Sequence, residues 1–276
     1  YSKHLIDNIS SIVTIFTPFS SGKINSNYES IQCWELDNDI SQDLNQLFDC
    51  ILNAQISSLV IQFNYGFFNF SELSSFIEKL SSHKINIILF MHSTTDPKDT
   101  KNKRLKTLVT SLAKCSRILV HTLKDLNRLK SLGLIENVSL FPHGIKQLDD
   151  QKVLINQTSR VKLFNNKTKF KIASYGFCLP NKGFHELINA AKILSDINID
   201  FELNLFTAIY SDSYTYVYNE LIDLVNDLKI SNLVNINIEY TSEEQTLKNL
   251  SSQDLIVFPY QFTNESSSAS VRQALV

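Results

Sequence analysis

A polar segment near the end of the sequence has the composition of an anion-binding helix start. Glu265 is followed by Ser266, Ser267 and Ser268, and a helical pattern begins soon after them. The start of a helix presents unpaired backbone N–H groups and the positive end of the helix dipole, which together bind phosphate. Glu265 would then accept hydrogen bonds from sugar or ribose hydroxyls. The alternative is a serine-rich cap with a solvated glutamate, and from chemistry alone this second interpretation is favoured.

A second candidate site lies between Ser174 and Gly183, in a loop that leads from an apolar run into a helical pattern. The loop contains Gly176 and Gly183, two of only six glycines in the 276 residues, and it places Lys182 near the predicted helix start. The helix dipole disfavours a lysine there, so an anion bound between the two would explain it. The alternative is a tight turn with an exposed lysine. The loop matches neither a dinucleotide-binding nor a Walker motif.

Two histidines follow predicted strands of the first half of the chain. His92 comes directly after the apolar run Ile85–Met91, which places it at the rim of the expected ligand cleft. His143 and Gly144 end the last strand of that half, where we expect a hinge. A single histidine at a strand end is more often a local hydrogen-bonding residue than a catalyst. For His143, a turn before a linker is as well supported as contact with a ligand.

One dense basic run and the overall charge bear on possible partners. The run consists of Lys98, Lys101, Lys103, Arg104 and Lys106, whereas the chain as a whole has a net charge of −2. A near-neutral chain is not expected to bind nucleic acid. The basic run could contact lipid phosphate, but a solvated helix face is the interpretation we favour. We therefore expect a cytoplasmic protein, with peripheral contact at the inner face of the membrane as the remaining option.

The cysteines and the hydropathy pattern agree with that location. The four cysteines are widely spaced and form no CxxC pair, so neither a zinc site nor a disulfide framework is indicated. No apolar run is long enough to cross a bilayer, and the first residues do not resemble a signal peptide.

Short apolar runs alternate with amphipathic stretches along the chain, which predicts parallel sheets covered by helices. In such sheets ligands bind at the carboxyl ends of the strands, where the candidate residues lie. The helical stripe from Leu73 to Leu80 is assigned Ser71 as its N-cap. The predicted strands are Ile12–Phe16, Leu59–Phe63, Ile85–Met91, Arg117–His121, Val138–Phe141, Phe170–Tyr175, Phe201–Phe206, Leu233–Ile238 and Asp254–Phe258.

The length of 276 residues favours two domains. The alternating pattern is interrupted once, by a polar stretch rich in Asn, Gln and Lys. We therefore predict an α/β domain over residues 1–145, a crossing over 146–168 and a second α/β domain over 169–276.

Several segments, taken in order and spacing, resemble a GT-B glycosyltransferase of the GT4-type family of retaining, sugar-nucleotide-dependent enzymes. The resemblance covers nearly the whole chain. The matching residues are Ile118–Thr122, Asp125, Leu129, Gly133, Phe141–Ile145, Tyr175–Phe177, Pro180, Lys182–Gly183, Glu186–Leu187, Ala190, Leu194, Leu250, Asp254–Val257, Pro259–Tyr260, Glu265–Ser266, Ser268 and Val271–Arg272.

The resemblance implies two Rossmann-like domains, the first on the acceptor side and the second binding the nucleotide sugar. It implies transfer of a hexose from a nucleotide diphosphate sugar to a glycan or glycolipid, without a required metal or other cofactor. His92 would lie beside the reacting sugar, and Glu265 would contact the donor hexose. The loop at Gly176 and the amides from Ser266 to Ser268 would hold the diphosphate, whose charge Lys182 would neutralise.

The sequence departs from the family pattern at three points. Gln273 stands where the family has a second glutamate; it can still bind a ribose hydroxyl but carries no charge. Phe177 stands where an arginine often contacts the diphosphate. The family's first strand and glycine-rich loop are not found before Tyr1, and the donor helix is cut at Val276, so we expect both domains to be incomplete and these 276 residues alone to be inactive.

The first two departures sustain an alternative, a non-catalytic two-domain protein that binds a sugar or glycan. An epimerase acting on the nucleotide sugar is a third option, with no residue that favours it.

Overall fold

The computed structural model describes residues 5–6, 9–20, 28–37, 42–98, 100–145, 169–261 and 268–275. Two compact units divide the described chain, one ending at Pro142 and the next beginning at His143. Each contains parallel strands joined by helices, as the alternating pattern predicts. The predicted crossing over 146–168 lies outside the described residues and stays a prediction.

The first unit has a four-stranded parallel sheet in which spatial order follows chain order, β3-β4-β5-β6. A separate parallel pair, β1-β2, precedes it. A 3₁₀ turn, Leu105–Leu108, leads into the short helix α3. The elements are β1 (Thr14–Pro18), β2 (Glu29–Trp34), α1 (Asn45–Asn53), β3 (Ser58–Phe63), α2 (Phe70–Ser82), β4 (Asn86–Met91), α3 (Val109–Leu112), β5 (Arg117–Val120), α4 (Leu123–Ser131) and β6 (Val138–Leu140).

The helix α2 shows how the apolar stripes form the core of this unit. Leu73, Ile77 and Leu80 are fully buried against the sheet, because residues three and four apart share one face of a helix. The predicted N-cap Ser71 is wrong. Asn69 caps the helix, and its side-chain oxygen accepts from the backbone N–H groups of Ser71 and Glu72. The backbone leaves the extended conformation at Asn69, two residues earlier than the sequence pattern suggested.

The basic run does not form a solvated helix face. Residues 100–104 form a turn and loop, followed by the 3₁₀ turn. Lys103 pairs with Asp37 at 2.7 Å, and its ammonium group donates to the carbonyl oxygen of Tyr65 at 2.6 Å. Arg104 donates to the carbonyl oxygen of Pro97. Lys103 and Arg104 therefore hold the loop after β4 against its own unit.

The second unit is a four-stranded parallel sheet with the order β10-β7-β8-β9. The chain moves outward from β7 to β9 and then returns to the opposite side of β7, which makes the gap between β7 and β10 a topological switch point. A 3₁₀ turn, Asp212–Tyr214, precedes α6. The elements are β7 (Phe170–Phe177), α5 (Phe184–Asp196), β8 (Phe201–Ala208), α6 (Thr215–Asp227), β9 (Val234–Asn237), α7 (Glu243–Ser251), β10 (Leu255–Ile256) and α8 (Ala269–Gln273).

The two faces of this second sheet differ in composition. One face is apolar, with Leu203 and Leu205 of β8 packed in the same core as α5 and α6. On the other face Asn204 of β8 lies opposite Asn235 of β9, and their side-chain amides are hydrogen-bonded at 3.1 Å. The strands therefore include polar positions that interrupt the apolar runs expected for strands covered on both sides.

All nine predicted strands are present, with ends shifted by a few residues. The first strand begins at Thr14, and Ile12, its predicted start, is almost fully exposed. The strand β2 was not predicted, because its apolar residues alternate with Ser30 and Gln32 and form no run. None of the helices in the described part of the chain combines the length and the hydropathy needed to cross a bilayer.

The capping of α2 gives a direct test of the correction at its first turn. Replacing Asn69 by Ala should lower the free energy of unfolding by about 1 kcal/mol, because two N–H groups lose their acceptor. Ser71→Ala, the matched control, should change it by less than about 0.5 kcal/mol. Urea denaturation of the two variants measures this. A larger loss in Ser71→Ala than in Asn69→Ala would restore the original assignment.

Candidate functional site

The loops that follow β7 and β10 meet at the switch point of the second unit. The backbone N–H of Gln261 donates to the carbonyl oxygen of Asn181 at 2.9 Å. Gly183 has φ +80°, and a Cβ placed on it would lie 1.9 Å from the carbonyl oxygen of Pro259. Only a glycine permits this approach. The contact between the two loops therefore explains why position 183 is a glycine.

Lys182 is buried in this contact. The loop does make a tight turn, in which the N–H of Lys182 donates to the carbonyl oxygen of Leu179 at 3.4 Å, but the exposed lysine of the alternative interpretation is wrong. The residue retains only 5 % of its accessible surface. Its ammonium nitrogen lies 4.3 Å from the centroid of the Tyr260 ring, within the range of a cation–π interaction. The next residue, Gly183, is the N-cap of α5 and provides no side-chain cap. A positive charge and a helix start therefore occupy one crevice.

Gly176 lies within β7, one residue before the strand ends, and not in the predicted loop; its nearest neighbours on other elements are Ser270 and the Tyr260 hydroxyl. Its φ of +144° is one that residues other than glycine rarely adopt. A Cβ at this position would lie 3.5 Å from the hydroxyl oxygen of Ser270. The hydroxyl groups of Tyr260 and Ser268 are hydrogen-bonded at 3.0 Å. Three of the predicted donor-site residues, Gly176, Lys182 and Ser268, are thus brought together through Tyr260 and Ser270.

A recess opens beside Gly176 at the carboxyl ends of β7, β8 and β9. The recess and the open solvent at its mouth together contain about 460 Å³ of empty space. Exposed aromatic rings stand at its edge: Phe177 stacks on Tyr240 at 6.4 Å and meets Tyr210 edge-on at 5.3 Å. The lining residues are Tyr175, Gly176, Phe177, Phe206, Thr207, Ala208, Asn237, Glu239, Tyr240, Thr241, Thr246 and Ser270.

Gln273 is held by Tyr175, one of the residues that line this recess. The phenol of Tyr175 donates a hydrogen bond to the Gln273 side-chain oxygen at 3.1 Å. Burial raises the pKa of Tyr175, so the phenol keeps its proton and remains a donor. With its oxygen engaged, Gln273 presents its NH₂ group as the donor available for a ligand hydroxyl.

Glu265, Ser266 and Ser267 lie outside the described residues, so their predicted roles stay predictions. His143 is buried and Gly144 is exposed, and neither observation decides between a turn and a ligand contact.

His92 does follow β4 directly, and strand register explains its neighbours in the first unit. Met91 of β4 is paired with Val120 of β5, so the next residues, His92 and His121, are adjacent. The Nδ1 atom of His92 lies 3.1 Å from Nε2 of His121, and its Nε2 atom lies 2.7 Å from the side-chain amide of Gln62. His121 was not among the predicted site residues, because the sequence pattern makes it the last residue of the strand Arg117–His121, whereas β5 ends at Val120.

Burial controls the charge of this histidine pair. Desolvation, with a contribution from neighbouring His121, lowers the pKa of His92 to about 4. Burial also lowers the pKa of His121, against the opposing effect of the Asp125 carboxylate. That carboxylate accepts hydrogen bonds from the hydroxyls of Thr94 and Thr122. Both histidines are therefore neutral near pH 7.

Comparison with solved structures identifies the fold. The chain resembles sucrose-phosphate synthase from Thermosynechococcus elongatus with a TM-score of 0.66 and 12 % identity, over 96 % of this chain and 69 % of that one. It resembles Anabaena HepE in complex with UDP with a TM-score of 0.60 and 13 % identity, over 90 % and 65 %. For the UDP-forming α,α-trehalose-phosphate synthase of Burkholderia xenovorans the values are 0.62 and 11 %, over 84 % and 58 %.

These structures are GT-B glycosyltransferases, and the predicted α/β fold class with Rossmann-like units is confirmed. The chain spans between 58 % and 69 % of the length of these three proteins. No protein-family model matches the sequence, and no curated protein matches it. At identities of 11 % to 13 % the likeness establishes the fold and leaves activity to be argued from the site.

The contact between Gly183 and Pro259 predicts an unusually costly glycine substitution. Gly183→Ala should destabilise the second unit by about 3 kcal/mol or more, because it adds a backbone clash to the strain of a positive φ. Gly133→Ala is the matched control, since Gly133 also has positive φ but nothing within 4 Å of the added carbon; it should cost about 1–2 kcal/mol. Native-state hydrogen exchange reports each unit separately. Equal costs would mean that the loops do not meet as described.

Proposed function

We propose that the protein is a retaining glycosyltransferase of the GT4 type that transfers a hexose from a nucleotide diphosphate sugar to a glycan or glycolipid. The observation that carries the proposal is the buried Lys182 at the switch point of the second unit. Ligands of open α/β sheets bind at this place, and an ammonium beside a helix start suits a diphosphate. The UDP bound to HepE, which shares the fold, supports a nucleotide ligand.

In this proposal the crevice and the recess hold different parts of one donor. The diphosphate lies near Lys182 and Gly176. The neighbouring recess takes the nucleoside, with Phe177 and Tyr240 providing flat apolar surface for the base. Gln273 donates from its NH₂ group to a ribose hydroxyl, and Glu265 contacts the hexose.

Lys182 also supplies the charge that departure of the leaving group requires. When the bond between hexose and diphosphate breaks, negative charge accumulates on the phosphate oxygen. A fixed cation stabilises that charge without reorganising, which is the largest single contribution in many enzymes. The proposal therefore needs no metal ion, and it treats the nucleotide sugar as a substrate.

Phe177 and Gln273, which differ from the family pattern, support a second candidate function, a non-catalytic protein that binds a sugar or glycan. Phe177 offers no charge to a diphosphate, and Gln273 lacks the charge of a glutamate. A binding protein that closes on a sugar would tolerate both. Lys182 favours the transferase, because an ammonium beside a helix start complements the charge of a diphosphate, whereas a sugar or glycan without phosphate has no charge to complement.

The first test is a ligand screen on the 276-residue chain. Nucleoside diphosphates at about 100 times their dissociation constant should add about 2.7 kcal/mol to the stability of the second unit. Thermal unfolding with each nucleoside diphosphate, and with free sugars as the comparison, measures this. Stabilisation by sugars alone would support the binding protein instead, and no stabilisation by any nucleotide would remove the proposed donor site.

The second test separates the roles of Lys182 and Glu265. Lys182→Met keeps the apolar stem and removes the charge, so it should weaken nucleoside diphosphate binding about ten- to hundredfold, the value of one charge-assisted hydrogen bond. Glu265→Ala should leave that binding nearly unchanged, because its partner is the hexose, and should lower turnover in the whole protein by misplacing the reacting sugar. Calorimetric titration and a transfer assay measure the two effects.

The control is Lys192→Ala, in the last part of α5, the helix that begins just after Lys182; Lys192 is paired with Asp196. It should change neither binding nor turnover. If Glu265→Ala weakened nucleoside diphosphate binding as much as Lys182→Met, the two roles would be wrongly assigned.

A further inference from the structure

Two neighbouring histidines of the first unit have a partner at every ring nitrogen. His121 is buried and shares a hydrogen bond of 3.1 Å with the half-buried His92, between Nε2 and Nδ1. The Nδ1 atom of His121 lies 2.9 Å from the carbonyl oxygen of Phe141. At the other end, Nε2 of His92 lies 2.7 Å from Oε1 of Gln62. These four residues form a continuous line of hydrogen bonds that runs from Gln62 in β3 through the residues that directly follow β4, β5 and β6.

The direction of the line follows from the Phe141 carbonyl, which can only accept. Nδ1 of His121 must therefore carry a proton. In a neutral ring Nε2 of His121 then has a lone pair, so the shared hydrogen bond is donated by Nδ1 of His92. Nε2 of His92 is left with a lone pair and needs a donor. The Gln62 amide supplies one when it turns by 180°, which exchanges its oxygen and NH₂ within the same space.

The opposite amide orientation needs a charged pair. If Oε1 of Gln62 faced the ring, His92 would donate from Nε2 and keep a lone pair on Nδ1. Two lone pairs would then meet at 3.1 Å unless the pair gained a proton. Burial opposes that proton at both rings, whereas the Asp125 carboxylate favours it only at His121. Near neutral pH the uncharged arrangement, with the NH₂ group toward His92, is the stable one.

We propose that His121 is a positioning residue which, with Gln62 and the Phe141 carbonyl, holds His92 in the Nδ1–H tautomer. An unrestrained ring samples both tautomers, so the restraint has to come from these partners. The inference about the tautomer stands on the first unit alone. Its consequence for the reaction rests on the proposed function and on the place beside the reacting sugar that the family resemblance implies for His92.

The consequence is that His92 contributes to the reaction by occupying a fixed place and not by transferring a proton. Both ring nitrogens are engaged within the unit, so the ring is not the group that exchanges a proton with a substrate hydroxyl. What the line of hydrogen bonds provides is a fixed ring and backbone at the carboxyl end of β4. Displacement of such a group by about 1 Å can cost about a hundredfold in rate.

Two substitutions of His121 each keep one of its two hydrogen bonds and remove the other. In His121→Gln the amide reaches the position of Nε2 and can accept from His92, but it does not reach the Phe141 carbonyl. In His121→Asn the amide lies near the position of Nδ1 and can donate to Phe141, but it does not reach His92. A merely structural role predicts similar behaviour of the two variants, whereas a positioning role separates them.

The tautomer is read from long-range ¹H–¹⁵N correlation spectra of the ¹⁵N-histidine-labelled 276-residue chain, with His92→Gln used to assign the signals. We expect the Nδ1–H form of His92 in the unmodified chain and in His121→Gln, and its loss in His121→Asn. In the whole protein, His121→Asn should lower kcat about ten- to hundredfold with little change in the KM for the donor, and His121→Gln should recover most of the loss.

Gln62→Glu tests the same line from its other end. A carboxylate can only accept, so it should place a proton on Nε2 of His92 and convert the pair to a cation near neutral pH. Three results would overturn the proposal: an Nε2–H tautomer of His92 in the unmodified chain, identical His92 spectra in His121→Gln and His121→Asn, or an unprotonated Nε2 of His92 in the Gln62→Glu variant. Failure of the chain to bind any nucleoside diphosphate would instead count against the proposed function.

Discussion

The candidate donor site depends on one close approach, that of the Gly183 backbone to the carbonyl oxygen of Pro259. The two residues belong to loops that leave the sheet on opposite sides of the switch point between β7 and β10. Because Gly183 lacks a Cβ, the loops touch, and the preceding residue, Lys182, is enclosed against the Tyr260 ring. A burial of this kind gives the ammonium a fixed position. A surface lysine would lose most of its electrostatic effect to solvent.

In the first unit, strand register fixes the positions of the candidate residues. Parallel pairing of Met91 with Val120, and of Val120 with Leu140, places the residues that follow these strands side by side. His92, His121 and Phe141 are these three residues, and their hydrogen bonds run perpendicular to the strands. Both candidate sites thus use a general property of parallel sheets, that all strands deliver their next residue to the same edge.

The sequence was informative wherever a residue's role depends on its immediate neighbours. Strands buried in parallel sheets read as apolar runs, and the nine that were predicted are present. The N-cap of α2 was assigned wrongly, since Asn69 and Ser71 are both good caps and only the path of the backbone selects one. The strand β2 was missed because it lies in a two-stranded sheet and alternates in polarity.

The sequence by itself determined the α/β class, the succession of strands and helices, and the strand ends near which Gly176, Lys182 and His92 lie. These features follow from periodicity and turn chemistry, which act over a few residues. Only the tertiary structure decided that Lys182 is buried against Tyr260, that Gln273 is held by Tyr175, and that His121 is the partner of His92. The two residues of each pair are between 29 and 98 positions apart in the sequence. The strand register and the loop contact that bring them together cannot be inferred from patterns of a few residues.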